Sequence, residues 1–183
     1  NHKSYGTIYS KNTDAHGPFV ISAFADGSLM NESKSRSRVA RLVKMAGASV
    51  AAKTNKTTTV HLSSASVETE AACHAALDVV GIRHLLEEIG IWYNKPVVIY
   101  EDNQPTIQVA NNERSLADAG RHLETRNYKL SELVENESVI LTYMSTERQV
   151  ADLLTKSLAK IAFERLRDDL TGYSCYNLPG NNI

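Results

Sequence analysis

Val97-Val98-Ile99-Tyr100-Glu101-Asp102-Asn103-Gln104 reads as a short buried strand that runs out on an acid. Its apolar core, Pro96 to Tyr100, has no polar alternation, as in a strand covered on both faces. Upstream lies a long amphipathic stretch with Val67, Ala71, Ala75, Val79, Ile82, Leu86 and Ile89 stepping by three or four. That spacing predicts a core-facing helix, capped by Ser64 or Ser66 and ended by Gly90. Downstream, Thr106 to Ala110 and Arg121 to Val134 read as helices, and Val139 to Met144 as another strand. Glu147 to Leu170 reads as a final helix with Val150, Leu154, Leu158, Ile161 and Leu166 inward.

Before the long helix the pattern is extended. Phe19 to Ala25 and Arg36 to Lys44 are strand candidates, joined by a turn over residues 46–49 to Val50–Lys53 and Thr57–Leu62, which form one further strand or two. The order is three strands, helix, strand, helices, strand, helix. It predicts an α/β fold: a mixed sheet flanked by helices, its late strands joined by right-handed crossovers. Residues 1–18 read as an irregular connecting segment and 173–183 as a loosely ordered tail, within a single domain of residues 1–183. Trp92 and Tyr93, following the helix end, read as core packing or a cover over that end.

The chain has 183 residues, 42% apolar and 22% charged, with a formal net charge of -1. That is ordinary globular composition, and any polyanion site must be local. Cys73 and Cys175 show no metal-type spacing and no disulfide framework. No apolar run approaches the length of a membrane span, and no signal peptide is visible. The opening on Asn1 rather than Met leads to the expectation of a piece of a longer polypeptide. From Ser33 to Thr59 lie seven basic residues and no acid, among them Arg36, Arg38, Arg41 and Lys44. This is either a solvated basic hairpin or a phosphate-facing edge.

Four acids stand in distinct frames: Asp26 in Ala25-Asp26-Gly27-Ser28, Glu68 in Ser66-Val67-Glu68-Thr69-Glu70, Asp102, and Asp152 in Ala151-Asp152-Leu153-Leu154-Thr155-Lys156. Each has an ordinary reading alone. Asp-Gly-Ser is a turn signal, Glu68 a favourable charge in a helix's first turn, Asp102-Asn103 a cap, and Asp152 an exposed helical acid. Together, on a strand, a helix start, a strand end and a last helix, they can converge where parallel strands finish. Such a carboxylate group can hold two hard divalent cations, the chemistry that cleaves phosphodiesters.

These frames resemble the ribonuclease H domain of copia-type LTR retrotransposon polyproteins, and the resemblance covers nearly the whole chain. Tyr5-Gly6-Thr7-Ile8-Tyr9 looks like the family's Tyr-Gly-x-x-Tyr, and Ile82 to Ile91 matches its helix end. Ile99 to Gln104 resembles Ile-Tyr-Cys-Asp-Asn-Gln; Arg121 to Arg126 resembles Lys-His-Ile-Asp-Ile-Arg; Ala151 to Lys156 is similar to Ala-Asp-Ile-Leu-Thr-Lys. The resemblance implies a ribonuclease H-like five-stranded sheet and cleavage of the RNA strand of an RNA–DNA hybrid during retrotransposon reverse transcription. It implies Asp26, Glu68, Asp102 and Asp152 as ligands of two Mg²⁺ ions, with Mn²⁺ as substitute. It also implies an upstream reverse transcriptase domain, no membrane association, and an intracellular, cytoplasmic setting in a virus-like particle.

The match departs from the family in places. Gly27-Ser28-Leu29 replaces the usual Ala-Asp-Trp and looks like the Asp-Gly-Ser of cellular ribonucleases H. Ser63 to Ala71 carries two extra residues against Ser-Ser-Thr-Glu-Ala-Glu-Tyr, which leaves Glu68 or Glu70 as the ligand. Ser28, Arg36, Arg38, Arg41, Lys44, Asn103 and Gln104 are candidates for nucleic-acid contact, Asn103 and Gln104 equally for a helix start. His122 either assists leaving-group protonation or product release, or is a structural histidine. Two other functions stay open: a different nuclease or integrase of this fold, and a non-catalytic or domesticated nucleic-acid-binding module. The Arg121–Arg126 and Ala151–Lys156 frames argue against the former, and the retained acids against the latter.

Overall fold

The computed structural model describes residues 6–9, 20–32, 36–111 and 124–173. Five strands form one sheet: β1 (Ile21–Glu32), β2 (Arg36–Met45), β3 (Ala48–Lys56), β4 (Val97–Glu101) and β5 (Val139–Tyr143). Their spatial order is β3-β2-β1-β4-β5. β1, β2 and β3 pair antiparallel, whereas β4 runs parallel to both β1 and β5. The helices are α1 (Ser64–Glu88), α2 (Gln104–Ala110), α3 (Glu124–Glu135) and α4 (Lys160–Leu170). The five-stranded mixed sheet is the expected one.

Strand alternation gives the sheet two apolar faces. Ala23 and Ala25 of β1, Val39 and Val43 of β2, and Val97 and Ile99 of β4 pack under α1 and α3 through Val67, Ala71, Ala75, Val79 and Leu130. Phe24 and Leu42 point the other way, onto Val150, Ala151 and Leu166. α1 is capped by Ser63, not Ser64 or Ser66: its hydroxyl accepts the Ser66 N–H at 3.2 Å. At the far end Gly90, at φ +82°, and Ile91 donate to the Glu87 and Leu86 carbonyls, closing the helix as expected.

Several expectations are corrected. β1 continues well past Ala25, so Asp26-Gly27-Ser28 is strand rather than turn. β3 ends at Lys56, and residues 57–62 form no strand; Thr57 instead bonds back to Ser37. The stretch from Glu147 to Leu170 is not one helix. It breaks into 3-10 turns at Thr146–Arg148 and Val150–Leu154, then α4, leaving Ile161 81% exposed. Trp92 is 72% exposed, so it covers nothing, whereas Tyr93 does pack on the core. No described helix is long and apolar enough to cross a membrane. Cys73 is a buried free thiol.

Candidate active site

β1 and β4 lie side by side and parallel, with Phe24 opposite Tyr100. Asp26 and Asp102 each lie two residues further on, so the pairing brings both acids to one place. Asp26 is fully buried, while Asp102 caps the strand end, half-buried. The 3-10 turn at Val150–Leu154 carries the buried Asp152 to the same point. Ligand oxygens of Asp26, Asp102 and Asp152 all lie within 4.8 Å of one another.

Glu68 arrives from the other side of the sheet. It sits on the second turn of α1, not the first, because the cap is Ser63. Gly27 makes its approach possible: a Cβ there would lie 2.8 Å from the Glu68 backbone nitrogen and from Val67. The Gly27 N–H donates to the Glu68 carboxylate. Glu68, Glu101 and Asp102 form a second group whose ligand atoms lie within 4.8 Å of one another. Asp102 is thus common to both groups.

Glu68 and Glu70 differ in their partners. Glu70 lies 2.8 Å from the Arg126 guanidinium and 2.9 Å from His61 Nε2, an imidazole whose burial disfavours its charged form. His61 in turn lies 3.0 Å from the Ser66 hydroxyl. Glu70 is spent on holding α1 to α3, and Glu68 faces the other acids.

Crowding shows in proton affinity. Burial, then the charges of Asp26 and Asp102, push Glu68 up to about 9. Burial and the Glu68 charge push Glu101 well above the carboxylate range, against the opposing Asn103 N–H. Burial raises Asp152 to about 6 despite its bond to Lys156. Burial lowers the Lys156 ammonium, but its bonds to Asp152 and Asp26 outweigh this and raise it. Lys156 Nζ donates to Asp26 at 3.0 Å and to Asp152 at 2.7 Å, so a positive charge bridges the first group. Thr155 donates to the other Asp26 oxygen, and Thr146 to Asp102 at 2.7 Å.

The site fits hard divalent cations. Its donors are all carboxylate oxygens, and Glu68 Oε2 and Glu101 Oε2 are buried without a hydrogen-bond partner.

The nucleic-acid candidates fare unevenly. Arg41 faces α1 and is buried against Asp78 at 2.6 Å and Asn55 at 3.0 Å. Lys44 faces α4 and pairs with Asp169 at 2.8 Å. Both are corrected from a free basic edge: strand alternation sends them to opposite faces, where each neutralises a helical acid. Arg36 donates to the Thr58 carbonyl and Arg38 to Thr54; both are half-buried on the sheet. Ser28 is buried beside Asp26. Asn103 is the α2 N-cap, accepting the Thr106 N–H at 3.1 Å, whereas Gln104 is exposed next to Asp102. His122 lies outside the described residues.

Sequence reading passed over Glu101, Thr146, Gln149, Thr155 and Lys156 as site residues. Gln149 is fully buried and donates to the Ala25 and Tyr100 carbonyls at 2.9 and 3.3 Å, tying the Asp152 turn to both strands. The signal available was proximity: each of the five lies within six residues of Asp102 or Asp152.

No protein-family model matches the chain. Among solved structures it is similar to LC11-RNase H1, isolated from compost (TM-score 0.58, 13% identity, 79% of this chain and 96% of that one). The N-terminal RNase H domain of a Mycobacterium tuberculosis protein is also similar (TM-score 0.55, 12% identity, 81% and 96%). The fold is that of ribonuclease H domains. In sequence the chain is 25% identical over 150 residues to the retrovirus-related Pol polyprotein from transposon TNT 1-94 of Nicotiana tabacum, covering 81% of this chain. It is 22% identical over 161 residues to a Ty1 Gag-Pol polyprotein of Saccharomyces cerevisiae, covering 87% of this chain. Its homologues are therefore retrotransposon Pol and Gag-Pol polyproteins, of whose lengths the chain spans only 11% and 9%.

Proposed function

We propose that this chain is a divalent-metal-dependent ribonuclease H that hydrolyses the RNA strand of RNA–DNA hybrids, as a segment of a retrotransposon polyprotein working with a reverse transcriptase. The observation that carries this reading is the meeting of Asp26, Asp102 and Asp152 in one group, with Glu68 in a second that shares Asp102. LC11-RNase H1 has been solved in complex with an RNA/DNA hybrid (TM-score 0.55 to this chain). The polyprotein homologues supply the setting of reverse transcription.

Two cations are proposed, Mg²⁺ or Mn²⁺, held by Asp26, Asp102 and Asp152 and by Glu68 with Asp102. When bound, such cations activate water and neutralise the attacked phosphate. The residues have separable roles. Asp102, common to both acid groups, would serve both cations, with Thr146 fixing its orientation. Thr155 fixes Asp26. Lys156 bridges Asp26 and Asp152 and holds a positive charge between them. Gln104, exposed two residues after Asp102, would be the side chain to meet the 2′-hydroxyls by which RNA is told from DNA.

The test is a labelled hybrid incubated with the protein and Mg²⁺. RNA in the hybrid is cut, while single-stranded RNA and duplex DNA are not. Asp102→Asn, which removes the ligand common to both groups, lowers cutting by more than about 100-fold, beyond the loss typical of groups that only support ligands. The melting temperature does not fall, because a like charge is removed from a crowded site. A hybrid left intact by the wild-type protein joined to its polymerase would reject the activity.

A further inference from the structure

Glu101 is the acid for which the four-carboxylate set has no use. It closes β4 with its side chain turned inward under α1, fully buried. One oxygen is structural, since Oε1 accepts the Asn103 N–H at 3.1 Å and so helps set the cap of α2. A neutral glutamine carbonyl would accept that bond equally well. The other oxygen has no hydrogen-bond partner, is out of contact with solvent, and belongs to a side chain whose neighbours are Glu68 and Asp102. Glu68 Oε2 is in the same condition.

Two buried, unpartnered carboxylate oxygens beside a third acid cost stability unless a proton or a cation sits between them. Among the described residues no Lys or Arg forms an ion pair with Glu68 or Glu101, although Lys156 bridges Asp26 and Asp152 in the neighbouring group. The charges then close. Fully ionised, as metal ligands must be, Asp26, Glu68, Glu101, Asp102 and Asp152 would carry five negative charges and Lys156 one positive, a formal excess of four that two divalent cations would neutralise.

We infer that Glu101 is a direct ligand of the second cation, so that this position is built from Glu68, Glu101 and Asp102. The inference deepens the proposed function and rests on its cation-binding part. A ligand contributed from within β4 makes the second position more anionic and more enclosed than the first, which is open at the half-exposed Lys156. The second cation is accordingly the more firmly held.

The experiment is calorimetric titration of metal-free protein with Mn²⁺, alongside thermal melts with and without Mn²⁺. Wild type binds two ions. Glu101→Gln keeps the Asn103 contact and the fold, weakens one binding event by at least about tenfold and leaves the other unchanged. Asp152→Asn weakens the opposite event. Glu101→Asp, which keeps the charge but withdraws it by one methylene, falls between wild type and Gln. If Glu101→Gln binds both ions as wild type does, Glu101 only shares a proton with Glu68 and the inference is overturned, while the nuclease reading stands. If wild type binds no Mn²⁺, both fall. If cation binding behaves as expected but hybrid is not cut, the nuclease reading falls and the Glu101 assignment survives.

Discussion

Glu68 and Glu70 stand two residues apart on one helix, and their fates are opposite. Two residues turn an α-helix by about 200°, so Glu70 leaves towards His61 and Arg126 while Glu68 leaves towards the sheet. The surroundings of Glu68 make its protonation a measurable property of the fold. Its ordinary value is 4.5 and its folded value about 9, so across that interval the native state holds a proton that the unfolded chain has released. The contribution of Glu68 to metal-free stability therefore falls as pH rises from 4.5 towards 9, opposed below 6.5 by His61 and His74, whose burial disfavours their protonated forms. Asp152 adds the same trend between 3.8 and about 6. Thermal melts in chelator should show the melting temperature declining with pH, and Glu68→Gln should flatten the decline. Saturating Mg²⁺ should abolish it, because the cation takes the place of the protons. A pH dependence of the melting temperature identical in wild type and Glu68→Gln would contradict the buried, crowded state of Glu68.

Asp152 is positioned by side chains more than by a helix. Helical spacing extends from Glu147 to Leu170, but Gln149, Thr155 and Lys156 also find partners on β1 and β4, beyond those within the segment itself. Those tertiary bonds outweigh helix propensity, and the segment folds as two short turns before α4 begins. Gln149→Ala should strip two interior strand carbonyls of a donor, lower stability by about 1–3 kcal/mol and reduce hybrid cutting as Asp152 loses its anchor. Denaturant melts and cleavage rates measure the two effects. The meeting of α1 with β1 is equally demanding. At Gly27 an added methyl lies 2.8 Å from backbone atoms of Val67 and Glu68, which cannot swing aside as a side-chain tip can. Gly27→Ala should lower stability by about 1–3 kcal/mol through overpacking. It should also weaken Mn²⁺ binding at the Glu68 position, read by calorimetry. Unchanged binding would mean that α1 can shift without moving Glu68.

The chain carries a net charge of -1, and Arg41 and Lys44 of its basic strand are committed to internal pairs. With no net positive charge to favour a polyanion, binding by this chain alone should be weak and its salt dependence shallow. Fluorescence anisotropy across a salt series, with the chain alone and joined to its polymerase, would measure this. A steep slope for the chain alone would require a phosphate-facing surface outside Arg41 and Lys44. Element order was readable without coordinates because apolar periodicity is a local property: the α1 pattern, Gly90 and the buried β4 run all report directly on their own neighbourhoods. Asp26, Asp102 and Asp152 were readable as candidates for the same reason, each lying in a short frame. Three things were not readable. The Asp152 turn depends on Gln149 reaching strands more than a hundred residues and some fifty residues away. The commitment of Arg41 and Lys44 depends on which acids α1 and α4 set against them. The role of Glu101 depends on a buried oxygen left without a donor. Local pattern determined the elements and most of the acids; chain folding decided which acids face one another, because partner, distance and burial exist only once distant segments meet.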